Sequence, residues 1–397
     1  RVSGFDPAVD TRDKLTAKLK SLHYLDCELA LDSLSLEVSA DESILEGCDI
    51  YVVCVPTPLS ENDEPDLTHI EAAAEAIERH VVKGSLVVLE STSYPGTTRE
   101  VFQPKLETNG KLAGRDFLLA YSPEREDPGN RSFRTSNIPK VAGADDLASR
   151  KAAFEFYSTI VEEVVLVSSC AAAEATKLLE NIYRAVNISL VNELKVAYDA
   201  LGVDIWETIA AAATKPFGFQ PFYPGPGIGG HCIPVDPFYL AHRAREAGVP
   251  ARFIELSGLV NRSMPDYVVA RLDKALQKRD SELSGSHVLI LGVAYKPDIS
   301  DTRNSPALAL INLLHEKGCK VDYYDPFVPV LSGCGAELEN MQSVDPRSEP
   351  FEEFNAAVMV TNHTAFDIPK LKSAFSLVID TRNAFGSSEP TCEVVKA

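Results

Sequence analysis

The sequence has no Cys-x-x-Cys pair among its eight cysteines, and their spacing follows no regular pattern. A zinc site or a disulfide framework depends on such spacing, so neither a metal nor cross-links are expected. Reduced thiols in a cytoplasmic protein fit better, with one thiol free for a special role. Long apolar runs are also missing. Nothing approaches the roughly 20 residues of a membrane span, so no membrane association is expected. An excess of positive charge is absent, the formal charge being −20. Nucleic acid selects a basic face, which excludes it as a partner, although a few local Lys and Arg can still hold a small diphosphate. An initiating Met and a secretory signal are absent as well, and no Gly-x-Gly-x-x-Gly turn precedes Asp6.

What is present is an ordinary globular composition, 45% apolar and 24% charged, in a chain long enough for two or three domains. Cys48–Val55 and Ser85–Glu90 read as buried strands, Phe117–Tyr121 and Glu163–Val167 as shorter ones, and Leu67–His80 as a helix between them. Such alternation predicts a parallel, doubly wound sheet. From Ala171 to Leu201 the pattern becomes one long helix with Gly202 as its stop. Helix continues through Trp206–Ala213, a Pro- and Gly-dense loop runs from Lys215 to Pro237, and Arg252–Leu276 is helical again. After the polar linker Lys278–Ser286, alternation resumes with strands at Val288–Val293, Lys320–Tyr324, Ala357–Val360 and Leu377–Asp380 and a helix at Ser305–Lys317. The expected fold is therefore α/β: two doubly wound, Rossmann-like parallel-sheet domains, residues 1–168 and 279–397, joined by a long central helix and a helical middle domain, 169–278. The middle segment, too small for the main core, is expected to connect and to dimerise.

The strongest chemical signal is Pro224-Gly225-Pro226-Gly227-Ile228-Gly229-Gly230-His231-Cys232-Ile233-Pro234-Val235-Asp236. Its glycines let backbone approach a ligand closely and lead into Cys232, held between rigid prolines, with Asp236 four residues on. A lone Cys is usually a small buried hydrophobe, but this setting favours a functional thiol. His231 could activate it, yet neighbours in sequence rarely aim side chains at each other, so a loop role suits it better. On the long helix, Lys177 and Asn181 are at i and i+4 and share a face, with Arg184 a further turn along. A Lys there could stabilise an oxyanion; the bland alternative is a solvated helix face.

Three polar stretches follow strands, where doubly wound folds bind ligands: Cys54–Pro58, Glu90–Thr98 and Ser122–Gly129. Turn chemistry and helix capping would account for each alone. The last domain opens with Gly292-Val293-Ala294-Tyr295-Lys296-Pro297-Asp298 and continues to Arg303-Asn304-Ser305-Pro306, cations ahead of a helix start, as a phosphate requires. Asp380-Thr381-Arg382-Asn383 repeats that signal more briefly. Val2-Ser3-Gly4-Phe5-Asp6 reads as the tail of a strand, and its Asp6 occupies the place of the acid that takes the ribose hydroxyls in dinucleotide folds, where an acid favours NAD over NADP. The glycine turn that should precede it, with the first strand and most of the first helix, is expected in about 25–30 residues upstream of Arg1.

Taken together and in this order, from Asp6 to Asn383, these motifs resemble the UDP-glucose/GDP-mannose dehydrogenase family. The Gly-Gly-His-Cys form of the loop and the run Ser122-Pro123-Glu124-Arg125-Glu126-Asp127-Pro128-Gly129-Asn130 resemble its branch acting on UDP-N-acetylhexosamines. The resemblance implies an NAD-dependent, four-electron oxidation of a UDP-sugar primary alcohol to the uronic acid. Cys232 would attack the aldehyde, giving a thiohemiacetal and then a thioester. Lys177 and Asn181 would hold the oxyanion and the alcohol; Glu124, Thr92 and Asp236 would position water and relay protons. Asp6, Val55, Thr57, Thr92 and Arg303 would contact NAD. Lys296 and Arg382 would take the diphosphate, Tyr223, Gly227 and its neighbouring glycines would line uridine and sugar, and Arg252 would reach the substrate, across a homodimer interface if the central helix pairs. The glucose-type enzymes carry a further Glu at the position of Pro128, so water activation here rests on Glu124, or Glu126 substitutes.

Two other readings compete. A hydroxyacid dehydrogenase would use the same helix Lys and Asn for one hydride transfer, but leaves Cys232 and the region from Asp280 to Ala397 unexplained. A non-catalytic nucleotide-sugar-binding relative would explain the missing glycine turn, but not Cys232, Lys177 and Glu124 together.

Overall fold

The structure is a computed structural model that describes residues 1–8, 36–60, 64–127, 130, 132–344 and 351–397. Pro128 lies outside the described residues. Contacts divide the chain into two units, residues 1–182 with 235–251, and residues 183–234 with 252–397.

In the first unit, β1 (Val2–Phe5) pairs in parallel with β2 (Leu36–Ser39). A five-stranded sheet has the order β3 (Ile50–Val53), β4 (Leu86–Leu89), β5 (Leu118–Tyr121), β6 (Lys140–Gly143), β7 (Val164–Val167). All its pairings are parallel except β5 with β6. That antiparallel pair is a departure from the all-parallel expectation. It arises because no crossover helix intervenes among the described residues: β5 and β6 are joined by the polar run containing Glu124. The four residues of β4, Leu-Val-Val-Leu, are all buried, as a strand covered on both faces must be. One face carries a core of Ile70, Ala74, Phe102, Phe117 and Tyr121, and the other packs Ala153 and Tyr157 on Val88 and Ala120. The helix Leu147–Tyr157 begins where the Asp146 carboxylate accepts the Ser149 N–H, a cap that satisfies an otherwise orphan donor.

The long helix runs Cys170–Leu201 and supplies residues to both units. Gly202, at φ +73°, ends it, since that left-handed conformation costs glycine nothing.

The second unit holds a parallel sheet ordered β12 (Glu393–Lys396), β11 (Leu377–Asp380), β10 (Ala356–Met359), β8 (His287–Leu291), β9 (Lys320–Tyr324). The chain leaves β8 for β9 on one side and returns to β10 on the other, a switch point whose carboxyl ends form a ligand crevice in such folds. Helix Pro306–Glu316 starts on a Ser305 cap with Pro at its first position. Helices Ile205–Ala212 and Arg252–Gln277 complete the unit. Two Rossmann-like α/β domains joined by helices are thus the architecture. Elements unforeseen in the sequence are β2, β6, β12, the helices Leu147–Tyr157, Asp236–Glu246 and Ile368–Ala374, and the short helical turns Glu42–Leu45, Thr98–Phe102, Gln103–Leu106 and Phe351–Glu353.

Candidate active site

Four of the expected site residues meet within the first unit. Glu124 follows β5, and Lys177 on the long helix donates to its backbone carbonyl. One turn on, Asn181 is buried and its Nδ2 donates to Asp236 Oδ2 at 2.5 Å. Asp236 opens the helix Asp236–Glu246, so residues distant in sequence converge on one face of the long helix. Burial pushes the Asp236 carboxyl up to about 7, Lys177 and Asn181 offsetting only part of it. A carboxyl poised near neutrality can both accept and return a proton.

Glu124 behaves oppositely. Partial burial raises its proton affinity, but Lys140 and the N–H groups of Arg125 and Glu126 outweigh that and hold it below the usual glutamate range. Its Oε1 accepts from both N–H groups, at 2.6 and 2.7 Å. Glu126 is pushed up, by burial first and then by the Glu124 charge, and accepts from the Thr135 N–H at 3.1 Å. Thr92 is half-buried just beyond β4. Its neighbours are fixed by Glu174, fully buried at the start of the long helix, which accepts from Gly96 N at 2.6 Å, Thr98 N at 2.8 Å and the hydroxyls of Ser93 and Thr98.

The candidate cofactor residues of this unit lie at carboxyl ends of strands. Asp6 follows β1 and accepts from Ala8 N at 2.8 Å; Val55 and Thr57 follow β3 and are half-buried. A carboxylate at Asp6, with no Arg beside it in the motif, suits free ribose hydroxyls, and these residues fit NAD. Arg303 belongs to the second unit, where it is exposed and paired with Asp301, Nε to the two oxygens at 3.0 and 2.9 Å.

Cys232 is also in the second unit, half-buried, and His231 is exposed. The loop before Cys232 is stapled to the 295–306 segment: Gly230 N donates to Arg303 O at 2.9 Å and Asn304 Nδ2 to Gly230 O at 3.1 Å. A Cβ on Gly229 would lie 2.7 Å from Tyr295 Cβ and 2.9 Å from Asn304 O, so this approach is open only to glycine. Gly227, at φ +125°, backs onto Pro306. Gly225 N donates to Asn192 on the long helix at 2.9 Å. Tyr223 stacks on Trp206, centroids 5.7 Å apart.

Arg382 follows β11 and its Nε donates to Val360 O at 2.7 Å. Burial lowers its pKa to about 10, Asp380 offsetting in part, and it remains a cation at neutral pH. Lys296 is half-buried in the loop after β8. That loop is held by Asp325, which accepts from Val293 and Ala294 N–H, and by His363, whose Nδ1 accepts from Asp298 N at 2.9 Å. Arg252 is exposed at the start of its helix. Lys140, Glu174, Asn192 and the His363–Asp325 pair carried no sequence signal: each is defined by partners far away in the chain.

Models of the UDP-glucose/GDP-mannose dehydrogenase family match over most of the chain: the NAD binding domain at residues 23–161, the central domain at 171–263 and the UDP binding domain at 289–387. The chain is 37% identical to UDP-N-acetyl-D-glucosamine 6-dehydrogenase of Pseudomonas aeruginosa over 77% of its own length and 74% of that protein's. It is 32% identical to UDP-N-acetyl-D-mannosamine dehydrogenase of Pyrococcus horikoshii, covering 96% and 90%. The solved structure of a UDP-D-ManNAc dehydrogenase from Pyrococcus horikoshii superposes with a TM-score of 0.85 at 29% identity, covering 100% of this chain and 98% of that one. With this fold, these carboxylates and this lysine–asparagine helix, the chain belongs to the UDP-glucose/GDP-mannose dehydrogenase family and is an NAD-dependent nucleotide-sugar dehydrogenase, oxidising the alcohol of a UDP-sugar to a uronic acid.

Proposed function

We propose that the substrate is a UDP-N-acetylhexosamine and that the chain is a UDP-N-acetylglucosamine 6-dehydrogenase working through Cys232. The sugar is supported by the Gly-Gly-His-Cys loop and by the Ser-Pro-Glu-Arg-Glu-Asp-Pro-Gly run, and by the relatives' named activities, which include N-acetylglucosamine, N-acetylmannosamine and N-acetylgalactosaminuronic acid dehydrogenases. The observation that carries the catalytic reading is the grouping of Lys177, Asn181, Glu124 and Asp236, two cation or amide donors beside two carboxyls of opposite proton affinity. Such a divergence assigns acid–base roles.

NAD, when bound, supplies the hydride acceptor for both oxidations. The chain's own residues do the rest. Asp236 takes the proton of the primary alcohol, which Lys177 and Asn181 hold in place. Cys232 Sγ adds to the aldehyde carbon, and Lys177 and Asn181 stabilise the resulting oxyanion. Oxidation of the thiohemiacetal leaves a thioester on Sγ. Glu124 then activates water, with Thr92 placing it, and the C–S bond breaks as the thiolate departs and the uronate forms. Asp6, Val55, Thr57, Thr92 and Arg303 hold the dinucleotide; Lys296 and Arg382 the diphosphate; Tyr223, Gly227 and Arg252 the uridine and sugar. The division into residues 1–168, 169–278 and 279–397 is supported by the spacing of the three family matches. A homodimer through the central helix is supported by exposed Tyr183, Leu190 and Leu201, which recur at helical spacing along one stripe; a cytoplasmic location is part of the same proposal.

The test is to count NADH formed per uronic acid with UDP-N-acetylglucosamine, UDP-N-acetylmannosamine and UDP-glucose in turn. Two per sugar is expected, with the highest kcat/KM on UDP-N-acetylglucosamine. Cys232→Ser should stop after the first, releasing aldehyde. One NADH per sugar in the unsubstituted chain would overturn the thiol mechanism.

A further inference from the structure

Lys140 is the first residue of β6, and its side chain is only 7% exposed. Its Nζ lies 3.2 Å from Glu90 Oε1, just past β4, and 3.2 Å from Glu124 Oε2, just past β5. It also sits 5.2 Å above the ring of Tyr157, whose hydroxyl donates to Glu90. A buried ammonium needs a counter-charge. Glu90, itself only 12% exposed, provides one. The pair is neutral and the ring adds a favourable face, so folding requires no second carboxylate. Yet Glu124, whose side chain is half exposed, is drawn in as well.

We propose that Lys140 is a positioning residue for Glu124: by bridging the carboxyls that follow β4 and β5, it fixes the direction of the Glu124 carboxylate and keeps it ionised for activating the water that cleaves the thioester. This rests on the reading of Glu124 as the water-activating base.

The surrounding charges sharpen the assignment. Lys177, from the long helix, reaches the Glu124 carbonyl rather than its carboxylate. Arg125 turns away to Glu180 and to Pro139 O. Glu126, two residues on, is itself pushed up, by burial first and then by the Glu124 charge, and gives Glu124 only its N–H. The Cys54 thiol, 3.9 Å from Glu90, is pushed up to about 12, by burial and then by Glu90, and stays neutral. Among the described residues, Lys140 is thus the cation that contacts the carboxylate itself, and Glu90 competes for it.

That competition gives opposite signs to two substitutions. Removing the cation in Lys140→Met should raise the Glu124 titration midpoint by roughly one unit or more. Removing the competitor in Glu90→Gln should lower it, and Lys140→Arg should return it near the original value. The full chain is titrated by infrared spectroscopy, with the same variant carrying Glu124→Gln subtracted to isolate the Glu124 carboxyl band. During turnover, acid quench and mass spectrometry should find the acyl group accumulating on Cys232 in Lys140→Met below the raised midpoint. An unmoved midpoint in Lys140→Met, or equal midpoints in the Met and Gln variants, overturns the proposal. If Lys140→Met does not fold, Glu90→Gln and Lys140→Arg decide by the same band. Thioester cleavage at full rate in Glu124→Gln would instead overturn the reading of Glu124 as the base, whatever the titration of Glu124 shows in the other variants.

Discussion

Asp236 shows how one residue couples stability to chemistry. Its carboxyl titrates near 7 in the folded chain, against about 3.9 when unfolded. Between those values the folded state holds a proton that the unfolded state has released, so Asp236 makes stability fall as pH rises from about 4 to 7, and adds no further slope above that. Asp236→Asn should remove this slope, on the order of a few kcal/mol across the window. Paired melting curves from pH 4 to 8 would check it, the variant's advantage growing towards neutral pH. The same substitution should cost about 100-fold or more in kcat if the carboxyl relays a proton. That Asp236 and Cys232 belong to one motif was legible from the sequence. That Asp236 would be buried against Asn181, 55 positions away, was not, because periodicity places Asn181 on a helix face without saying what the face meets.

At the scale of the element, the strands of both sheets were legible to within a few residues because their cores are continuous apolar runs. The exceptions have physical causes. β6, Lys-Val-Ala-Gly, begins with a charge and ends in glycine, and β12, Glu-Val-Val-Lys, is flanked by charge on both sides; neither reads as a buried strand. Helix Asp236–Glu246 was read as loop up to Pro237 because Pro and Gly dominate what precedes it, although Pro fits the first turn of a helix. The segment Ser93–Thr98 looks like turn chemistry alone, yet it is anchored by Glu174 through four hydrogen bonds. Removing that acceptor leaves buried N–H groups unpaired, at about 1–3 kcal/mol each. Glu174→Ala should therefore lower stability by roughly 2–5 kcal/mol. It should also raise amide exchange at Gly96 and Thr98 ahead of the sheet, as hydrogen-exchange mass spectrometry would show; uniform loosening of the sheet would contradict this account.

For the whole molecule, the class of fold and the order of motifs were legible because the site residues fall just after strands, on one helix face, at helix starts or in the glycine-rich loop. What long-range pairing adds, such as Lys195 on the long helix donating to Lys396 O in β12, leaves no local trace. The exposed stripe of Tyr183, Leu190 and Leu201 predicts self-association: Leu190→Asp should shift a dimer to monomer in sedimentation velocity at micromolar concentration.

The interleaved division of the chain also bears on how the protein is made. The first unit is closed by residues 235–251, which emerge only after residues 183–234 of the second unit have been synthesised. A nascent chain that has reached residue 182 carries Asn181 but not Asp236, and only the first part of the long helix that both units share. The Asn181–Asp236 hydrogen bond is therefore assembled late, after the glycine loop and Cys232 have left the ribosome. Pulse-labelled folding intermediates of this chain should acquire the first sheet early and the Asn181–Asp236 contact only with the second wave, and no single cut between the units would yield a first half able to complete its own site.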